Sequence, residues 1–160
     1  METQIRIAVE NDINQMIPLL IDLDLLHVQL YPDVFDEAKI TTDIRKDFLL
    51  KHIDTPNNLF LIAETNSEIV GVVHCYIQET KDHPIKKDNK VAVLSDLFVA
   101  KPHRNKGIAQ QLVKNALDII NEKWKLKTIL LNVFDGNSEA INLYEKIGFQ
   151  KQFSRYSITT

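Results

Sequence analysis

Apolar positions along this chain follow two spacings, and the switches between them mark the elements. Thr3–Ala8 alternates apolar and polar residues, which predicts a short strand. From Asn11 or Asp12 the spacing changes to that of a helix, running to about Gln29. Ile13, Met16, Ile17, Leu20, Leu23 and Leu26 or His27 share one side of it. Pro18 inside that run predicts a kink or a later start. Tyr31-Pro32-Asp33 breaks the pattern, and a second helix is expected from about Glu37 to His52 through Ile40, Ile44, Phe48 and Leu49. Thr55-Pro56-Asn57-Asn58 reads as a turn. Leu59–Glu64 and Ile69–Gln78 read as strands joined in a hairpin at Thr65–Glu68. Polar Lys81–Lys90 reads as a surface loop, and Val91–Val99 as a strand. An amphipathic helix then runs from near Gly107 to about Lys123, with Ile108, Leu112, Val113, Leu117 and Ile120 on its apolar face. Thr128–Val133 is a further strand. Ser138–Lys146 is a helix capped by Asn137 or Ser138 and ended by Gly148, and Phe149–Ile158 is expected to close the chain as a strand.

The predicted order is β-α-α-β-β-β-α-β-α-β, a mixed α/β chain. Its 160 residues are 44% hydrophobic and 26% charged, which excludes disordered, collagen-like and low-complexity classes. One domain over residues 1–160 is expected, since no linker divides the pattern. A single cysteine, Cys75, lies in an apolar run. It excludes an internal disulfide and a Cys-based metal site and reads as a small buried hydrophobe. The five histidines are scattered, so no metal site is expected. The first residues lack a basic and an apolar signal region, and no apolar run is long enough to span a membrane. A cytoplasmic setting is therefore expected.

Charge changes the picture once it is split. Residues 1–80 hold 5 basic and 14 acidic side chains, a net of −9, while residues 81–160 hold 14 and 8, a net of +6. A basic C-terminal half suits an anionic ligand and an acidic N-terminal half a cationic one, the alternative being an unevenly charged solvated surface. Nucleic acid is disfavoured, because no dense Arg/Lys stripe with aromatics is present.

The stretch from Val91 to Ala109 carries the chemistry. A buried-type strand ends at Val99, and Arg104-Asn105-Lys106-Gly107-Ile108-Ala109 turns into a helix. Free N–H groups and the positive dipole end at a helix N-terminus hold anions, Gly107 allows close backbone approach, and Arg104 and Lys106 add charge. On physical grounds this is either a phosphate cradle or an ordinary strand–turn–helix with a basic first turn. It is neither a Walker A loop nor a Gly-x-Gly-x-x-Gly loop.

Arg104-x-x-Gly107-x-Ala109, followed by Asn132, Asn137, Ala140, Tyr144 and Gly148-Phe149, resembles the two signatures of the GNAT superfamily of N-acetyltransferases. The resemblance covers about residues 3–158 and implies a central, mostly antiparallel twisted sheet flanked by helices. It implies acetyl-CoA as co-substrate, with no metal. Backbone amides of Arg104, Asn105, Lys106, Gly107, Ile108 and Ala109 would hold the pyrophosphate. Leu97, Phe98 and Val99 would line the path of the pantetheine arm, Leu97 and Val99 through backbone groups, with the Val99 amide polarising the acetyl carbonyl. Asn132 and Asn137 belong to the same cofactor path, although Asn137 also reads as a plain helix cap. Tyr144 would protonate the leaving thiolate, the alternative being a packing tyrosine.

Val93 and Ser95 stand where some relatives carry a glutamate base, and Asp96 is the only acid on the strand. Asp96 is therefore either the base or substrate ligand or a structural hydrogen-bonding residue. Glu79 and His83 are weaker candidates. The acceptor would contact His27, Tyr31, Asp33, Phe35, Asp36 and Glu37, with Glu79 at its margin, because acids with aromatics suit a cationic amine. The expected activity is acetyl transfer to a primary amine of a small cationic molecule by direct attack in a ternary complex. The alternatives are a protein or peptide acceptor and a non-catalytic acyl-CoA sensor. Relatives are often dimers, so a homodimer is compatible with the resemblance.

Overall fold

Runs of β-branched and apolar residues in the middle of the chain have enough length to pair, and they build the sheet. In a computed structural model, which describes residues 3–156 and 158, strands β1 (Gln4–Ile7), β2 (Asn58–Thr65), β3 (Glu68–Thr80), β4 (Asn89–Val99) and β5 (Ile129–Leu131) form one sheet in that order. All neighbours are antiparallel except β4 and β5, which are parallel and joined through a helix. The β2–β3 hairpin turns at Asn66 and Ser67, both with positive φ, the conformation that matches the twist of the paired strands.

Helix α1 (Ile13–Leu30) buries Ile13, Met16, Ile17, Leu19, Leu20 and Leu23, close to the predicted face. Pro18 sits in its second turn and forfeits only the N–H bond to the Asn14 carbonyl. The second predicted helix is split. Glu37–Lys39 forms one short turn, and α2 runs from Thr42 to His52. Thr41 accepts a hydrogen bond from Ile44 N at 3.2 Å, and this local cap starts the helix five residues later than the spacing suggests. α1 and α2 cover one sheet face over Phe60, Ile62, Val72 and Phe98.

Helix α3 (Ile108–Ile119), continued by a wider turn over Ile120–Trp124, covers the other face with Leu112, Val113 and Ala116 against Leu61, Val73, Cys75 and Leu94. It comes close because β3 carries Gly71. A Cβ there would lie 3.1 Å from Leu112 Cδ1 and 3.2 Å from the Phe98 carbonyl oxygen. Helix α4 (Ser138–Ile147) is capped by Asn137 and ended by Gly148 at φ 114°. Arg6 forks onto Asp12 at 2.7 and 2.9 Å and reaches Glu64 at 2.9 Å, which ties β1 to the start of α1.

Two strand expectations are corrected. β5 spans three residues, not the six of Thr128–Val133. Among the described residues no strand follows α4; residues 149–156 are irregular, with Phe153 and Tyr156 exposed. The stretch beyond Phe149 is mostly polar and lacks sustained alternation, and three-residue β5 offers little edge on which to pair it. Ser157, Thr159 and Thr160 lie outside the described residues.

Candidate functional site

The site begins with an irregularity in β4. His74 of β3 pairs with Asp96, but Cys75 pairs with Leu94, so Ser95 is an extra residue bulged out of the ladder. The bulge shifts the alternation of β4 by one. Ala92 and Leu94 face α3 before it, and Leu97 and Val99 face α3 after it. Asp96 and Phe98 consequently turn to the α1–α2 face. Pairing of β4 with β5 stops at Leu94–Leu131, so β4 is left open on that side from Ser95 onward. Ala100 N donates to Val70 O, which fixes the ladder parity: Phe98 points its backbone groups at β3, whereas Leu97 and Val99 point theirs to the open side. The Phe98 side chain lies buried with the Arg104 guanidinium 5.2 Å above its ring.

The open edge runs into the N-terminus of α3. Gly107 occupies the left-handed region at φ 78°, and Asn105 does so at φ 61°. A Cβ on Gly107 would meet only Gln111 Nε2, at 4.0 Å, so the ground in front of the first helical turn is clear. The unpaired N–H groups of that turn and the helix dipole favour an anion there. Arg104 is partly committed elsewhere: its Nε donates to Val99 O at 2.9 Å. Lys106 Nζ donates to Pro102 O at 3.0 Å. The Ile108 side chain is buried under the helix and Ala109 is half-buried, which leaves their backbone for ligand contact.

Asp96 is mostly shielded, and its Oδ2 lies 3.4 Å from His74 Nδ1. Burial alone would push its carboxyl up, but the His74 imidazole beside it and the Arg45 and His27 side chains outweigh that and hold it below its ordinary value. Arg45 of α2 grips Asp24 of α1 through Nε and Nη2. Burial pushes the His27 imidazole down, against the pull of Asp24 and Asp96. Tyr144 on α4 packs at the edge of Phe149, and burial, with Cys75 and Asp96 nearby, pushes its hydroxyl up to about 12. Cys75 is fully buried, and burial pushes its thiol up to about 12 as well, which keeps it protonated.

The α1–α2 connection reaches the loop before α4. The Tyr31 ring stacks on Phe134 at 3.9 Å, Phe35 meets Phe134 edge-on at 5.7 Å, and His27 stacks on Phe35 at 5.1 Å. Tyr31 Oη accepts from Gly136 N at 2.7 Å. A Cβ on Gly136 would lie 2.6 Å from that oxygen, so only glycine leaves room for the tie. Asn137 Oδ1 accepts from Ala140 N at 3.2 Å, so its side chain caps α4, and Asn132 is exposed just past β5.

Glu79 is not brought to the site. It pairs with Lys90, five residues along β3 from His74, roughly 17 Å away at strand spacing. Its carboxylate is spent on Lys81 at 3.1 Å and Lys90 at 3.4 Å. His83 caps its own loop, accepting from Ile85 N and Lys86 N. Asp36 likewise accepts from Ala38 N. Sequence reasoning missed His74, Arg45 and Phe134. A polar residue inside the apolar run Ile69–Tyr76 was the available signal for His74; for Arg45 and Phe134 only the fold brings out the role.

The family model for the acetyltransferase (GNAT) family matches residues 23–149. An N-alpha-acetyltransferase of Sulfurisphaera tokodaii is 29% identical over 110 residues, 65% of this chain and 64% of that protein. The spermidine N(1)-acetyltransferase of Vibrio cholerae is 27% identical over 123 residues, 74% of this chain and 64% of that protein. The chain thus spans just under two thirds of the length of these two relatives. Among solved structures, a tetramutant of the BH1408 protein from Bacillus halodurans superposes with TM-score 0.83 at 19% identity, covering 98% of this chain and 99% of that one. The aminoglycoside N-acetyltransferase AAC(6')-Iy in complex with CoA gives 0.75 at 15% identity, covering 99% and 95%. At these identities the likeness is one of fold.

Proposed function

The chain belongs to the acetyltransferase (GNAT) family, and we propose that it is an acetyl-CoA-dependent N-acetyltransferase whose acceptor is a primary amine of a small cationic molecule. The observation that carries this reading is the edge of β4 left open after the Ser95 bulge, which leads directly to the N-terminus of α3. An extended amide-bearing chain can pair with outward-facing Leu97 and Val99 as an added strand, and its phosphates can meet the backbone N–H groups behind Gly107. Acetyl-CoA has that shape, and it supplies the acyl group as a thioester.

The protein's own groups then have separate tasks. An alkyl ammonium has a pKa near ~10, so one proton must leave before the nitrogen can attack. Asp96, held ionised, draws the cation and receives that proton. The Tyr144 hydroxyl keeps its proton far above neutral pH and gives it to the departing sulfur as the C–N bond forms. The second amine proton leaves through water and restores Tyr144, and Asp96 releases the first to solvent. The rings of His27, Phe35, Phe134 and Tyr31 beside Asp24 and Asp96 suit a polyamine or amino sugar. The spermidine acetyltransferase relative supports that class, and the N-alpha-acetyltransferase relative supports a second reading, a peptide α-amine.

The test is thermal unfolding with acetyl-CoA, CoA and ATP, followed by thiol release with spermidine, an aminoglycoside and a peptide with a free N-terminus. Acetyl-CoA at 100 times its Kd is expected to stabilise the fold by about 2.7 kcal/mol, with ATP inert. Fastest thiol release is expected with the polycations. No shift with either CoA species and no thiol release would overturn the reading.

A further inference from the structure

We propose that His74 is a positioning residue that stores the proton of the reaction: its Nδ1 receives, through Asp96, the proton given up by the acceptor amine. This rests on the acetyltransferase reading above. The argument starts from a chain of hydrogen bonds with a single direction. Thr55 Oγ1 donates to the His52 carbonyl at 2.9 Å, and a carbonyl only accepts. Its proton committed, the Thr55 oxygen accepts from Asn58 Nδ2 at 2.8 Å. Asn58 therefore presents Oδ1 to His74 Nε2 at 2.8 Å, and that nitrogen must carry the ring hydrogen. The tautomer is thus set from outside the site, and Nδ1 is the nitrogen left open.

Nδ1 is fully buried and makes no hydrogen bond. It faces the Asp96 carboxylate at 3.4 Å, and two lone pairs at that distance repel unless a proton lies between them. The ring cannot swing away. Phe60 stacks flat on it at 4.1 Å and 4°, and Phe48 meets it edge-on at 5.7 Å. The pair is therefore a rigid receptacle for one proton. Chemistry makes the storage useful, because an ordinary imidazole holds a proton about 400-fold more tightly than an ordinary carboxylate. Asp96 alone is a weak base for an alkyl ammonium, and passing the proton to His74 gives it a better resting place.

The titratable groups around the pair are His27 and Asp24 from α1, Arg45 and His52 from α2 and Tyr76 from β3, with Cys75 and Tyr144 on the α3 side. Burial favours neutral His27 and His52, Cys75 and Tyr144 keep their protons, and Arg45 stays a cation on Asp24. The His74–Asp96 contact is thus the place at this spot where a proton would find two facing acceptors.

Two measurements test the proposal. In the ligand-free protein, ¹⁵N NMR of the imidazoles is expected to show His74 as the Nε2–H tautomer, with Nδ1 taking up a proton on acidification at a midpoint that moves in Asp96→Asn. An Nδ1–H tautomer at neutral pH, or a titration unchanged in Asp96→Asn, would overturn it. In the active protein, His74→Gln is expected to lower kcat by about 100-fold and to displace the acid limb of kcat/KM for the amine, with the KM for acetyl-CoA within about twofold of wild type. An acid limb that superposes on wild type would overturn the proposal even if kcat fell. Asn58→Leu, which removes the Nε2 partner and keeps the His74 imidazole, carries the same pH readout should His74→Gln not fold. A wild-type protein that transfers acetyl to no amine sinks the acetyltransferase reading, while the NMR result still decides the state of His74.

Discussion

On the α3 side of the sheet the site is made of backbone, and on the α1–α2 side it is made of side chains. The first side offers the outward backbone groups of Leu97, the Val99 N–H and the helix start behind Gly107, with an apolar layer of Leu112, Val113 and Cys75 holding the helix in place. The second offers Asp96 against His74, Arg45 on Asp24 and a stack of rings tied to Gly136. In the proposed reading, backbone groups would recognise what is common to all acyl-CoA molecules. Side chains discriminate, because their charge and shape vary from one chain to the next. The bulge at Ser95 joins the two sides: it opens the edge for one and aims Asp96 at the other.

The largest expected effect tests the packing behind the backbone half. Leu112→Ala empties a fully buried position under α3 and is expected to cost about 3 kcal/mol of stability, measured by urea unfolding. A cost below about 1 kcal/mol would show that α3 is held by something other than this layer. Tyr144→Phe comes next. It keeps the packing and removes the proposed proton donor, so kcat is expected to fall about 100-fold with acetyl-CoA affinity retained. Loss of affinity with kcat unchanged would move Tyr144 from the chemistry to binding.

A pH dependence separates the site from the frame around it. The hydrogen bonds from Arg6, opposed by burial, hold Asp12 below the ordinary carboxylate range. The folded protein therefore binds that proton more weakly than the unfolded chain. The stability this contributes is present above about pH 4, the unfolded value, and is lost as pH falls through the folded value. Asp12→Asn is expected to flatten the acid limb of the stability profile and leave the pH profile of kcat/KM untouched. The smallest effect is expected from Tyr31→Phe, which removes one hydrogen bond to Gly136 N, worth about 1 kcal/mol. It is expected to raise the KM for the amine severalfold and to leave that for acetyl-CoA within about twofold. Equal changes in both would show that the tie supports the whole site and not the acceptor side alone.

Much of the backbone half was legible beforehand. Gly107 after a basic turn, the Asn137 cap, Gly148 and the two-residue turn at Asn66-Ser67 all act within a few residues, and local patterns carry local causes. The side-chain half was legible only in part. His27, Tyr31 and Phe35 do meet near the site, but their partner Phe134 lies a hundred residues away. Glu79 looked eligible because it follows a strand, yet pairing with Lys90 places it at the far end of the sheet.

The amino-acid order by itself determined α1, α3, α4, the central strands β2 to β4 and the turn between β2 and β3, because spacing, caps and turn residues act through neighbours in the chain. Only the tertiary structure decided that Ser95 is bulged, that Asp96 therefore faces His74, that Asn58 meets His74 Nε2 and that no strand forms among the described residues after α4. Each of these depends on what a strand pairs with and which face it presents there. Pairing is a property of two segments, and a one-residue slip in it turns every following side chain to the opposite face.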